Sequence, residues 1–395
     1  MSLGKRIHAV MFPALLAATA GWAQAAQHKV TLIVENPTPE ARLEEVLEVS
    51  LAQILARLGP VAPAHLAVQN VAGHQRLPVQ LDNQEPGVPP DRLLILVSLK
   101  PRQTIRLAIS EEDPSPPAKP LVFGRVVPER KDDFAWENDK GAHRVYGPAL
   151  QATGEITSGI DVWSKRVPDT VINHWYARDA EGQRTHNPAL SYHKDTGQGL
   201  DSYDVGPTRG CGGTGLWNGR QLFVSKNYVS AELLASGPIR LRFRLRYAPW
   251  PVGGVEGSEE KIVTLDAGSH LNRIESTITL SGASTAQWAA GLAMHQNAHL
   301  TATADGGILS VWEPLSDPSA GMDGTAIVLP PRQRAATAKA AGNALVLLPV
   351  TPGVSIVYYA GAAWSKADMP DETAWNSYLQ AFRERLEHPL TTRWE

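Results

Sequence analysis

The residues most able to do chemistry fall in one stretch, 192–213. It holds His193, Lys194, Asp195, Asp201, Asp204 and Arg209, with Tyr192, Tyr203 and glycines at 197, 199, 206, 210, 212 and 213. It contains no apolar run, so it buries little surface by itself, and glycine serves where φ is positive or a neighbour comes close. Loops of this kind on β scaffolds carry function; a solvated, glycine-rich connection is the plainer reading. His193, Tyr203 and Asp201 are candidate proton donors and acceptors, and Arg209 a candidate carboxylate partner. No cofactor is required, although His193, Asp195 and Asp201 would admit a divalent cation.

Three further segments set charged groups beside aromatic rings: 136–148, 159–166 and 360–366. Tryptophan offers a flat apolar face with one donor at its edge, which suits the C–H face of a sugar. The candidate substrate-binding residues are therefore Arg144, Tyr146, Asp161, Trp163, Lys165, His143, Trp364 and Lys366. Each taken singly is equally served by a core or surface role.

For a uronic-acid sugar, elimination needs a cation on the carboxylate, a base for the C5 proton and an acid for the leaving oxygen. Arg144, Arg166 or Arg209 fit the first task; His193, Tyr203, His143 or Tyr146 fit the others. Hydrolysis needs two carboxyl groups at a set separation, with Glu137, Asp139, Asp161, Asp195 and Asp201 available. Opening a sugar ring would use a histidine and a carboxylate, as His295 or His193 with Glu313 could supply. The spacing matches neither a His-Glu-x-x-His helix nor an EF-hand loop. No Gly-x-Ser-x-Gly elbow, phosphate loop or dinucleotide fingerprint occurs. Cys211, the one cysteine, reads as a small buried residue.

The elements that must position these groups are mostly strands. In 239–247, Ile239, Leu241, Phe243, Leu245 and Tyr247 alternate with Arg240, Arg242, Arg244 and Arg246. Period two puts the apolar set on one face and four guanidinium groups on the other. That face either receives ligand carboxylates or pairs with acids on neighbouring strands. Residues 29–34 and 274–280 read as strands, 93–99 with 104–109 as a hairpin, and 344–350 with 354–360 as a late pair. Residues 43–58 fit a helix, although 46–51 fit a strand equally. Near the C-terminus, Asp371 can cap a helix whose stripe is Trp375, Tyr378, Leu379, Phe382 and Leu386. Many short strands predict a large antiparallel sandwich, mainly β.

Lys5 and Arg6, an apolar run over 9–20 and Ala23-Gln24-Ala25 give a signal peptide over 1–26, so the protein is expected to be periplasmic or secreted, with no membrane anchor after cleavage. Its removal takes Lys+Arg from 37 to 35 against 40 acids, a net charge near −5 that argues against nucleic acid. The expected domains are 27–113, a small β-rich unit; 114–120, a proline-rich linker; and 121–395, the main sandwich.

The sequence resembles the bacterial domain-of-unknown-function 4861 family. The resemblance rests on Trp136-Glu137-Asn138-Asp139, 144–150, 159–163, and the histidine, aspartates and glycines of 192–213. Ala235-x-Gly237-Pro238-Ile239-Arg240, 265–269 and 361–366 extend it, together covering about 130 to 390. It implies a galactose-mutarotase-like supersandwich and exported proteins of polysaccharide-degradation loci, often near pectin-directed enzymes; it brings no catalytic residues. Gln198 stands where an acid would suit a carboxylate-rich metal site. The expected protein acts on acidic, pectin-type oligosaccharides as a lyase or glycoside hydrolase. Mutarotase or isomerase activity and non-catalytic glycan binding are the alternatives.

Overall fold

The computed structural model describes residue 1 and residues 29–83, 87–113 and 119–395. Past Met1, the signal sequence read over 1–26 lies outside the described residues, as does the proline cluster at 114–117. The chain is mainly β, with every strand pairing between named strands antiparallel. Its main layer is an eight-stranded sheet running in the order Tyr228–Ser236, Arg240–Val252, Val255–Asp266, Leu271–Leu280, Ser355–Trp364, Met322–Val328, Ile308–Pro314 and His299–Ala302.

Two five-stranded sheets cover the apolar face of this layer. One centres on Cys211–Trp217, Gln287–Ala293 and Asn343–Leu348; the other centres on Asp133–Glu137, Ala142–Val145 and Asp161–Lys165. Alternation in Arg240–Val252 sends Leu241, Phe243, Leu245 and Tyr247 into the shared core, where Phe134 stacks on Phe243 at 4.2 Å. The helix Glu372–Glu387, capped by Asp371, lays Trp375 and Leu379 on the opposite face of the eight-stranded sheet.

A second apolar core joins a three-stranded sheet (Arg42–Ser50, Arg92–Leu99, Val79–Asp82) to a five-stranded one containing Lys29–Glu35 and Thr104–Glu111. The last strand, Thr391–Trp394, returns to pair with Lys29–Glu35. Arg92–Leu99 and Thr104–Glu111 belong to different sheets of this core, so they form no hairpin. Asn343–Leu348 and Ser355–Trp364 are likewise split between two sheets instead of forming a late pair. The ambiguous 43–58 segment divides into a strand, Arg42–Ser50, and a helix, Leu51–Leu58, capped by Ser50. Both periodicities were present, each in its own half.

The arginine face of Arg240–Val252 is fully spoken for. Arg240 pairs with Glu48 and Asp266 at 2.6 Å each, and Arg242 with Asp82 at 3.5 Å, which fastens the three-stranded sheet to the main layer. Arg244 bonds Glu232 at 2.8 Å, and Arg246 meets Glu260 at 2.9 Å, both directly across neighbouring strands. The expectation that this face receives ligand carboxylates is therefore corrected: the acids come from the protein itself.

Candidate active site

The sheet containing Asp161–Lys165 has two faces of different character. Phe134, Trp136, Val145 and Val162 point into the sandwich. Period two puts Asp133, Glu137, Arg144, Asp161, Trp163 and Lys165 on the other face, beneath the helix Ile172–Thr185. That helix carries few apolar residues; its first turn is held by Glu137, whose carboxylate accepts from the backbone N–H groups of Val171 and Ile172 at 2.8 and 2.9 Å. Lys165 neutralises Glu137 at 2.9 Å, both fully buried. The Lys165 ammonium is committed to Glu137 and to the Asn138 carbonyl.

Arg144 is the hub of this layer. It donates to Asp161 at 2.6 Å and to Asp201 at 3.3 Å, lies 3.4 Å from the Tyr192 hydroxyl, and stacks near Tyr146 and Trp163. Burial raises the pKa of both aspartates, Asp201 further because Asp161 sits beside it; their charge holds Arg144 well above its ordinary value despite burial. His193, half exposed at the edge, meets the Asp201 carbonyl through Nδ1 at 2.9 Å. Of the sequence-derived residues, the fold therefore brings His193, Asp201, Arg144, Tyr146, Asp161 and Trp163 together. Apart from His193 and Tyr146 at its edge the cluster is buried, and it anchors the segment that follows Asp201.

The other residues of that set lie apart. Arg209 is buried in the sandwich, donating to the Ser158 hydroxyl at 2.8 Å, and burial pulls its pKa down to about 10. His143 stacks on Trp136 and meets the Asn272 amide at 3.0 Å. Trp364 donates to the Ala320 carbonyl at 2.8 Å beneath the Arg166 guanidinium, and Lys366 donates to the Ser319 carbonyl at 2.6 Å. The cation set fares no better: Asp195 is held by Arg166 and Asp201 by Arg144, so His193, Asp195 and Asp201 do not converge. Cys211 is buried against the Gly361 carbonyl at 3.1 Å, and burial pushes its thiol up. The glycines of 192–213 bring chain against chain: a Cβ on Gly210 would lie 2.1 Å from the Ile160 carbonyl, and one on Gly199 2.0 Å from that of Ser164.

Two residues beyond Asp201, Tyr203 enters an open cavity of about 240 Å³ at one end of the sandwich. Its wall includes His295, Glu313 and Asp323. Glu313 and Asp323 occupy paired positions on Ile308–Pro314 and Met322–Val328, pointing to the inner face on which Leu309 and Ile327 continue the core. Glu313 accepts from His295 twice, from Nδ1 at 2.6 Å and the backbone N–H at 2.9 Å. The other ring nitrogen meets the Asp204 carbonyl at 2.7 Å, and a carbonyl can only accept. With both ring nitrogens donating, the bond to Glu313 raises the His295 pKa against the effect of burial.

Asp323 is different. One oxygen accepts from the Ser164 hydroxyl at 2.8 Å; the other is buried with no partner among the described residues. Burial lifts its pKa to about 7, a neighbouring Glu313 adding to the shift. The Tyr203 hydroxyl is also buried without a partner, its ring edge-on to His295 at 5.5 Å. The arrangement sets a carboxyl with a raised pKa on Asp323, a carboxyl tied to His295 on Glu313 and a phenol without a partner among the described residues in one lining. Glu313 and His295 were read from sequence only for ring opening, and Asp323 was missed. Its signal was an acid at an inward position of an otherwise apolar strand, alternating with Thr325 and Ile327.

Among the described residues, no helix is long and apolar enough to cross a membrane. The one cluster of three potential metal ligands among them is Glu384, Glu387 and His388, all exposed. Fold and site together define a mainly antiparallel β-sandwich protein with an acid–base cavity at the open end of the sandwich. The chain belongs to the family described as Domain of unknown function (DUF4861), whose model matches residues 34–392. A relative, Uncharacterized protein P7 of Formosa agariphila, is 33% identical over 384 residues, 93% of each chain. Among solved structures, a protein in glycosyl hydrolase family 38 from Enterococcus faecalis aligns with a TM-score of 0.53 at 9% identity, over 93% of this chain and 47% of that one. An α-mannosidase from Enterococcus faecalis V583 aligns at 0.47 and 10% identity, over 93% and 46%. The chain spans about half the length of these solved proteins, and the likeness to the first is one of fold.

Proposed function

We propose that this protein is a carbohydrate-active enzyme that transfers a proton between Asp323 and a glycan seated in the cavity beside Tyr203, His295 and Glu313. The observation that carries the reading is the Asp323 carboxyl in the wall of an open cavity, buried, with one oxygen lacking a partner among the described residues and a pKa raised to about 7. A general acid works best with its pKa near the ambient pH. A protonated carboxyl beside an ionised one is the pattern that cleaves glycosidic bonds. Asp323 would protonate the leaving oxygen, and Glu313 would face the positive charge developing at the ring. The fold shared with a glycosyl hydrolase family 38 protein is consistent with a glycan substrate.

Hydrolysis is favoured over elimination. The lining carries Asp204, Glu313 and Asp323 and neither lysine nor arginine, while His295 is already committed to Glu313. A uronate carboxylate at this point would meet uncompensated like charge. We keep uronate-containing, pectin-type oligosaccharides as the proposed substrate class, following the family resemblance, with a neutral ring at Asp323. Mutarotation is the second reading, because the histidine and carboxylate it needs share this lining. Export to the periplasm or medium, read from residues 1–26, belongs to the same proposal.

The test is incubation of purified protein with neutral and acidic oligosaccharides. New reducing ends that vanish in D323N support hydrolysis. Absorbance of an unsaturated uronate would instead restore elimination, and anomer exchange without cleavage would select mutarotation. Binding with no conversion of any substrate sinks the enzyme reading.

A further inference from the structure

A further cavity lies away from this site. It measures about 370 Å³ and is enclosed by the strand Arg42–Ser50, the eight-stranded sheet and the helix Glu372–Glu387. Four acids line it, and each is neutralised. Glu44 meets Lys140 at 3.2 Å, Glu45 meets Arg42 at 3.0 Å, and Glu48 and Asp266 share Arg240 at 2.6 Å. Arg273 in the same wall pairs with Glu275.

Arg385 is the exception. Among the described residues no carboxylate lies within 4.0 Å of it, and its buried Nε has no acceptor. It is half-buried one turn beyond Phe382 on the helix, with its guanidinium 5.9 Å from the Tyr378 ring. Tyr359, from the strand Ser355–Trp364, meets Phe382 edge-on at 5.1 Å and completes an aromatic wall. One uncompensated guanidinium beside aromatic rings, in a cavity large enough for a sugar, makes a site for an anion with an apolar face. A uronic acid has both features, a carboxylate at C6 and a C–H face on the ring. Its carboxylate would also supply the charge that Arg385 lacks in a wall where every other ion is paired.

We propose that this cavity is a second, non-catalytic site that binds a uronic-acid residue of a glycan, its carboxylate on Arg385 and its ring against Tyr359 and Phe382. The sugar half of this proposal rests on the carbohydrate reading above; the carboxylate half rests on Arg385 alone. It would hold the acidic part of a chain that the catalytic cavity, acidic itself, cannot accept.

Titration calorimetry of the full chain with glucuronate, galacturonate, galactose, acetate and benzoate tests it. A uronate is expected to bind at least ~10-fold more tightly than galactose and than either simple acid, and more weakly as salt rises. R385Q should lose that ~10-fold preference while R385K keeps most of it. D323N should bind uronate unchanged, which separates this site from the catalytic one. Unchanged melting of R385Q is expected, since its side chain makes no ion pair to lose. Equal binding of galactose, benzoate binding as tightly as uronate, preference surviving in R385Q, or no uronate binding would each overturn the proposal. Conversion of neutral glycans with no uronate binding would sink this proposal and leave the catalytic reading standing.

Discussion

Glu313 and Asp323 stand opposite each other on adjacent antiparallel strands, in the wall of one cavity, and their hydrogen-bond partners differ. Glu313 accepts one hydrogen bond from His295 on each carboxylate oxygen, one from Nδ1 and one from the backbone N–H. Asp323 accepts one from a neutral hydroxyl and is buried beside Glu313, and burial first and Glu313 second raise its pKa to about 7. The difference arises from what each oxygen touches, since the two carboxyls share a face and a register.

The substitution D323N keeps shape and volume but removes the exchangeable proton. It should lower turnover of the preferred glycan by about 10²–10⁴-fold, the usual worth of a positioned general acid. In the parent protein the rate should fall as pH rises through about 7, where Asp323 ionises. Initial rates from pH 5 to 9 check both, and a D323N variant with parental turnover would remove Asp323 from the mechanism.

Stability should carry the same signature. The folded pKa of Asp323 lies above its unfolded value near 3.8, so the native state binds more protons between about pH 4 and 7. Asp133, raised to about 6 chiefly by burial, acts in the same sense. Their contribution is complete below about pH 4 and is lost as pH climbs through 6 and 7. Urea midpoints should therefore fall between pH 5 and pH 8, more steeply in the parent than in D323N.

How much of this was legible in the sequence depended on whether the signal was local. Period two in 239–247 and the Asp371 cap are local, and the strand and helix they predict are present. Which strands neighbour each other is decided by distant parts of the chain. The two supposed pairs therefore dissolved into separate sheets, and the arginine face met Glu48 and Asp82 from a remote segment. The helix Ile172–Thr185 was missed because Ile172, Trp175 and Tyr176 are nearly its whole apolar face; a buried glutamate from another strand holds its start. The stretch 192–213 reads as unlike core, and 193–197 are exposed, but Tyr192, Tyr203, Val205 and Cys211 join the buried clusters. Its glycines press on protein, however, and its aspartates serve Arg144 and Arg166. Asp323 lay in a strand that reads as plain core.

Arg144 should matter for stability before it matters for chemistry. Replacing it with methionine leaves Asp161 and Asp201 buried beside each other without the guanidinium that bonds both, a loss of about 3–5 kcal/mol for a broken buried pair. The cost should shrink at low pH, where both carboxyls can take protons and burial no longer penalises them. Denaturant unfolding of R144M at pH 5 and pH 8 reads this out, the larger deficit being expected at pH 8. Equal deficits would show that packing against Tyr146 and Trp163, and not charge, is what the residue supplies.

The four arginines of Arg240–Val252 should separate by depth. Arg246 and its partner Glu260 are half-exposed, and pairs of that kind are worth little in water, so R246Q should change stability by no more than about 0.5 kcal/mol. Arg240 is nearly buried and joins Glu48, Asp82 and Asp266 across the contact between the three-stranded sheet and the main layer. R240Q leaves Asp266 without its cation, while Glu48 keeps Arg92 and Asp82 keeps Arg242, and should cost about 1–3 kcal/mol. Because these cations are occupied by the protein's own acids, R246Q should leave affinity for acidic oligosaccharides unchanged. Thermal melts with calorimetry on both variants decide the matter: a fall in glycan affinity for R246Q at unchanged stability would return this face to the role of ligand receiver.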